Sequence, residues 1–106
     1  MLKLKDISAE ETRPLRHLIL RPHQTLQDCV YPGDEDPRSF HVGAYIEGQL
    51  VCIASFFPQS TERLSQAMQY RLRGMGTLKE HQGKGIGAAV LKEGERIAFE
   101  KGYDLV

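Results

Sequence analysis

Gln82-Gly83-Lys84-Gly85-Ile86-Gly87-Ala88 sets three glycines within five residues, directly ahead of an amphipathic stretch. A glycine inside a helix costs roughly 1 kcal/mol against alanine, so their concentration at a helix start asks for another requirement. An anion supplies one. Backbone N–H groups at a helix start point outward, the helix dipole adds partial positive charge, and the absent Cβ atoms let a phosphate reach those amides. The plainer reading is a glycine-rich turn that permits tight strand–helix packing, for which one glycine would suffice. A P-loop needs Gly, four residues, then Gly-Lys-Ser/Thr. Here Gly83-Lys84 is followed by Gly85, and position 78 is Leu. The dinucleotide fingerprint G-x-G-x-x-A is met by Gly83, Gly85 and Ala88, with Asp104 beyond. That fingerprint expects an apolar strand running into its first glycine, whereas Lys79-Glu80-His81-Gln82 intervenes.

The elements that must hold this segment are legible from periodicity. Leu2–Ile7 alternates apolar and polar residues as a strand with one wet face. Ser8-Ala9-Glu10-Glu11 has capping-box spacing, but Pro14 would then fall inside the helix. A start with Thr12 as cap and Pro14 in the first turn avoids that clash, with Leu15, Leu18 and Ile19 as the apolar stripe to about Leu20. Arg21–Ser39, with three prolines and Gly33-Asp34-Glu35-Asp36, reads as a loop carrying one helical turn at Leu26–Cys29. Strands are predicted at Phe40–Ile46 and Gln49–Phe57, joined by a tight Glu47-Gly48 turn. Pro58–Gln66 reads as a polar connection.

Met68–Leu78 alternates again, except at Gly74-Met75-Gly76, where glycines suggest a bulge or a close approach by another backbone. A helix over Gly85–Lys101 would bury Ile86, Val90, Ile97 and Ala98 and end at Gly102. Asp104-Leu105-Val106 begins a further strand. The order β-α-(loop)-β-β-β-α-β gives an α+β, or mixed α/β, domain with an antiparallel hairpin, a parallel final unit and helices on a central sheet.

Composition narrows the classes. The 106 residues suit one small domain, which would bury roughly 65% of its unfolded surface. Hydrophobic residues at 41% and charged residues at 26% argue against disorder. Fourteen Lys+Arg balance fourteen Asp+Glu, so no basic excess points to nucleic acid or an anionic membrane. No apolar run approaches a membrane span, and the first residues lack a signal-peptide core. Cys29 and Cys52 form neither a disulfide framework nor a zinc pattern, so no metal is expected and the cytoplasm is the expected compartment.

Gln82-x-x-Gly85-x-Gly87 resembles the Q/R-x-x-G-x-G/A signature of the GNAT superfamily of acyl-CoA N-acyltransferases. Met75-Gly76-Thr77 resembles the small-residue end of that family's fourth strand at the same offset. The order of elements is similar over the whole chain. The resemblance implies a GNAT-like mixed sheet and acetyl-CoA (or CoA) as substrate. Met75, Gly76 and Thr77 would pair with the pantetheine amides, as an added strand does. An N–H near Met75 or Gly76 would hold the thioester oxygen. The amides of Gly83, Lys84, Gly85, Ile86, Gly87 and Ala88 would seat the pyrophosphate, Lys84 would add charge, and Gln82 would orient the loop.

The other substrate would be a primary amine of a small molecule or peptide, almost wholly protonated at neutral pH. Some family members use a glutamate on the fourth strand; here Arg71 occupies that place. Many use a tyrosine on a helix after the fifth strand, and the sequence stops before such a helix. No catalytic residue is identified; of the four histidines that could act as base, His41 and His23 are the candidates that would touch the acceptor, while His17 and His81 read as solvated or packed. Asp34, Glu35 and Asp36 could attract a cationic amine or form a solvated turn. Arg71 and Arg73 could favour an acidic acceptor or be ordinary exposed arginines.

The expectation is thus a single domain over residues 1–106, lacking the family's C-terminal helix and strands and stopping about three residues into the fifth. A partner chain such as a second copy, marginal stability or a longer polypeptide would each answer the open edge. A dinucleotide-binding domain and a non-catalytic CoA-binding or interaction module remain the alternatives.

Overall fold

The structure, a computed structural model, describes residues 1–60 and 68–105. One five-stranded sheet runs in the order β1-β2-β3-β4-β5, with β1 Leu2–Ile7, β2 Phe40–Ile46, β3 Gln49–Ser60, β4 Met68–Thr77 and β5 Asp104–Leu105. The first four strands form an antiparallel meander, and β5 lies parallel to β4. Glu47 and Gly48 both take positive φ, +51° and +82°, as a two-residue hairpin turn requires. Within the polar connection expected over Pro58–Gln66, residues 61–66 lie outside the described residues, as does Val106 at the end of the last strand.

Two boundaries differ from expectation. The first helix, α1 (Ala9–Leu15), starts at Ser8, not at Thr12. Ser8 Oγ accepts from the Glu11 amide (3.1 Å) and the Glu11 carboxylate accepts from the Ser8 amide (3.0 Å), a complete capping box. Pro14 is therefore interior. An interior proline gives up its bond to the carbonyl four residues back, here that of Glu10, and α1 is followed directly by a π-helical turn, Arg16–Leu20. β3 also runs past Phe57 to Ser60, with Pro58 opposite Tyr70. β2 begins opposite Phe56, so among the described residues β4 alone flanks this end of β3. By alternation from Val51, whose carbonyl accepts the Leu78 amide, the missing N–H of Pro58 faces away from β4 and removes no ladder bond.

The two faces of the sheet are built differently. On one lies the second helix, α2 (Ile86–Glu100). Phe40 stacks on Phe56 at 4.8 Å, and Tyr70 meets Phe40 edge-on at 5.0 Å. α2 passes over them at Gly94, where a Cβ would run into the Phe56 ring. Val42, Ala44, Val90 and Ala98 complete this apolar layer, all fully buried. The other face is covered by α1, the π turn and a 3-10 turn at Leu26–Cys29, the helical turn expected there. It contains buried charge, described below. No described helix is long and apolar enough to cross a membrane.

Candidate functional site

The irregularity expected at Gly74–Gly76 is present. Arg73 registers with Ser55 and Gly76 with Ile53, so Gly74 and Met75 together oppose Ala54 in a β-bulge, with Gly74 at φ +61°. Past the bulge, the Leu78 amide donates to the Val51 carbonyl at 2.8 Å. Alternation then turns Gly76 toward β3 and leaves the amides and carbonyls of Met75 and Thr77 on the outer edge. Among the described residues, β5 pairs with β4 at Gln69 and Tyr70. From Arg71 to Thr77 that edge has no strand partner among the described residues.

The glycine-rich loop faces this open end. β4 leads into a 3-10 turn, Lys79–His81, then the loop, then α2 with Gly85 as its N-cap. Gln82 Nε2 donates to the Thr77 carbonyl at 3.2 Å, tying the loop to the strand. Gly83 and Gly85 have φ of +76° and +77°, and a Cβ at either would meet nothing within 4 Å. Gly87 faces back to the strand, where a Cβ would lie 3.1 Å from Met75 Cε and 3.8 Å from Thr77 Oγ1. No amide from Gly83 to Ala88 finds an acceptor among the described residues. This is a run of unsatisfied donors at a helix N-terminus with open space in front of it, chemistry that suits an anion. Lys84 is exposed beside it. The arrangement does not suit a dinucleotide fold: no strand runs into Gly83, and β3 and β4 are antiparallel.

On the opposite face of β4 lies a polar network that the sequence did not reveal. Arg16, fully buried, makes a two-pronged pair with Asp34 (Nη1–Oδ2 2.8 Å, Nη2–Oδ1 3.0 Å), donates to the Cys29 carbonyl (2.9 Å) and to Ser55 Oγ (2.7 Å). Its guanidinium stacks 4.0 Å from the Tyr31 ring centroid. Burial pushes the Asp34 carboxyl up, but the bonds from Arg16 and from the Tyr31 amide outweigh it and hold the group below its ordinary value. Ser55 Oγ also bonds His41 Nδ1 at 2.8 Å. Burial, with the nearby Arg16 charge, pushes His41 below the usual histidine range. The one signal for Arg16 was spacing: it follows Thr12 by four residues and precedes Ile19 by three, so it lies on the inward stripe.

Neither histidine singled out for the acceptor reaches the open edge of β4. His41 is locked beneath the sheet against Ser55 and Phe57. His23 is exposed in the loop after the π turn. His17 bonds the Gln24 carbonyl at 2.7 Å. What does lie beside that edge is a pocket of about 200 Å³ lined by Pro32, Asp36, Phe57, Pro58, Arg71 and Arg73, among others.

Residues 3–106 match the model of the acetyltransferase (GNAT) family. The chain is 44% identical over all 106 residues to the uncharacterized N-acetyltransferase YitI of Bacillus subtilis (strain 168), covering 71% of that protein. Among solved structures, a ribosomal-protein-alanine N-acetyltransferase from Brucella melitensis biovar Abortus 2308 superposes with a TM-score of 0.75 at 17% identity, over 97% of this chain and 76% of that one. A predicted acetyltransferase from Clostridium acetobutylicum, solved with acetyl-CoA, superposes with a TM-score of 0.68 at 16% identity, over all of this chain and 80% of that one.

Proposed function

The chain belongs to the GNAT family of acetyltransferases, and on that premise we propose that residues 1–106 form one acetyl-CoA-binding domain that passes the acetyl group to a primary amine at the open end of β4. The observation that carries this reading is the juxtaposition of two surfaces without partners among the described residues: the outer edge of β4 at Met75 and Thr77, and the amides of Gly83–Ala88.

Each surface has a role. The pyrophosphate of the thioester substrate would sit on the Gly83–Ala88 amides, where Lys84 adds charge, Gln82 fixes the loop and Gly83 and Gly85 leave the approach clear. Met75 and Thr77 would donate and accept along the pantetheine arm as an added strand does. The Met75 amide, outward-facing beside the bulge, would hold the thioester oxygen as negative charge grows on it. Acetyl-CoA supplies the activated acyl group. The acceptor must arrive as a free amine, so a proton has to leave it first. Among the described residues lining the adjoining pocket, the carboxylate is Asp36, and bonds from Arg38 hold it down to about 2, far too acidic to act as an effective base.

Thermal unfolding tests the reading. Acetyl-CoA at a hundredfold excess over its Kd should stabilise the protein by about 2.7 kcal/mol, NAD should not, and free thiol should appear when an amine is added. A shift with NAD and none with CoA would overturn it. Stabilisation by CoA with no transfer to any amine would leave a binding module.

A further inference from the structure

We propose that the acceptor carries an oxyanion group, a carboxylate or phosphate, and that Arg71 and Arg73 bind it while its amine faces the end of β4. This rests on the acetyltransferase reading above and adds the substrate class to it.

The charge pattern around the pocket carries the inference. The acidic run Asp34-Glu35-Asp36 looks at first like a lure for cationic amines, but two of its members are already paired. Asp34 is held by buried Arg16 at 2.8 Å and Asp36 by Arg38 at 2.7 Å, while Glu35, exposed and 3.9 Å from Arg13, does not line the pocket. Arg71 and Arg73 have no such partner: neither makes a hydrogen bond or ion pair among the described residues. They register with Phe57 and Ser55, so both stand on the sheet face away from α2 and line the same pocket. The charge available to a ligand there is therefore positive, whereas the overall composition is neutral.

Position and shape agree. Phe57 and Pro58 give the pocket an apolar floor, and its volume of about 200 Å³ suits a small ligand group. Arg73 precedes the bulge directly and stands two residues from Met75 along β4. An anionic group on the guanidiniums would thus be separated from the reacting nitrogen by a few bonds, as in an amino acid or an amino-sugar phosphate. Arginine suits both, since its planar fork matches carboxylate and phosphate oxygens in pairs.

The test uses paired acceptors that differ in the anionic group: amino acids against their amides, glucosamine 6-phosphate against glucosamine, and spermidine as a polycation. Rates of acetyl-CoA-dependent thiol release are corrected for each amine's free-base fraction. The anionic member of at least one pair should win by about tenfold or more in kcat/KM, the worth of one charge-assisted hydrogen bond. Whether the carboxylate or the phosphate pair shows it identifies the source. Arg71→Gln and Arg73→Gln should raise KM for that acceptor by about tenfold and leave the uncharged partner and the Kd for CoA unchanged. Preference for amides, glucosamine or spermidine, or an anion preference that survives both substitutions, would overturn the proposal. So would a CoA-loaded protein that neither acetylates nor binds any anionic member of the panel. Loss of CoA binding itself in the native protein would instead strike the underlying acetyltransferase reading, so the two failures are distinguishable.

Discussion

Gly74 and Gly76 on β4 differ in kind from Gly83 and Gly85 in the loop that follows. A Cβ on Gly74 would come within 2.9 Å of the Tyr31 ring, and one on Gly76 within 3.0 Å of Ile19 Cγ2. Those glycines close a surface: they let the helical cap of the sheet settle onto the bulge. Gly83 and Gly85 meet nothing within 4 Å and take positive φ. They open a surface, shaping a loop whose amides face outward without acceptors. Sequence already sets the two pairs apart as a strand irregularity and a helix start, but not as a closed surface and an open one. What separates them is whether the protein itself fills the space above each one.

The closed region should break first at its buried charge. Asp34→Ala strands Arg16 without its carboxylate, and the loss of one partner of a buried pair should lower unfolding free energy by about 3–5 kcal/mol in urea titration. A loss near zero would mean that Arg16 finds water and that the network is not what seats Tyr31 over Gly74. Gly74→Ala should come next, at about 1–3 kcal/mol, because the added methyl overpacks against Tyr31 and the backbone is left-handed there. Gly85→Ala should lose only the left-handed strain, about 1–2 kcal/mol, since its methyl enters empty space. Equal overpacking at both sites, visible as displaced Tyr31 resonances in each variant, would erase the distinction.

The smallest effect concerns pH. His41 is held below its ordinary value of 6.5 by burial, so the unfolded chain takes up a proton before the folded one does. Its contribution is complete above pH 6.5 and is lost as pH falls through the lower folded value. Asp34, likewise depressed, keeps its contribution above 3.8 and loses it only in stronger acid. His41→Gln should therefore flatten the stability profile just below pH 6.5 and leave the loss below pH 3.8 in place. An unchanged slope below pH 6.5 would show that His41 is not the group responsible.

The fold was largely legible because it rests on local signals. Strand alternation, the Glu47-Gly48 turn and the glycine-flanked second helix each state their conformation within a few residues. The bulge at Gly74–Met75 was legible for the same reason. At the start of α1 two local signals disagree, and the reciprocal Ser8–Glu11 capping box outweighs the cost of an interior Pro14. The Arg16–Asp34–Ser55–His41 network was invisible because its members lie 18 to 39 residues from Arg16 or meet it only through the sheet register. For the same reason the acidic run looks available to a ligand until Arg16 and Arg38 are placed against Asp34 and Asp36. His41, a polar residue in an apolar strand, and the inward spacing of Arg16 are the hints of a buried polar face that the sequence carries.

The most direct test of an anion seat at Gly83–Ala88 is the calorimetric affinity of Gly85→Val for CoA and, separately, for pantetheine, which lacks the pyrophosphate. Branched bulk in front of the amides should weaken CoA by about tenfold or more, the loss expected when charge-assisted bonds to phosphate are blocked, and leave pantetheine affinity on β4 unchanged. Unchanged CoA affinity, or equal loss of both ligands, would contradict a pyrophosphate site at that loop.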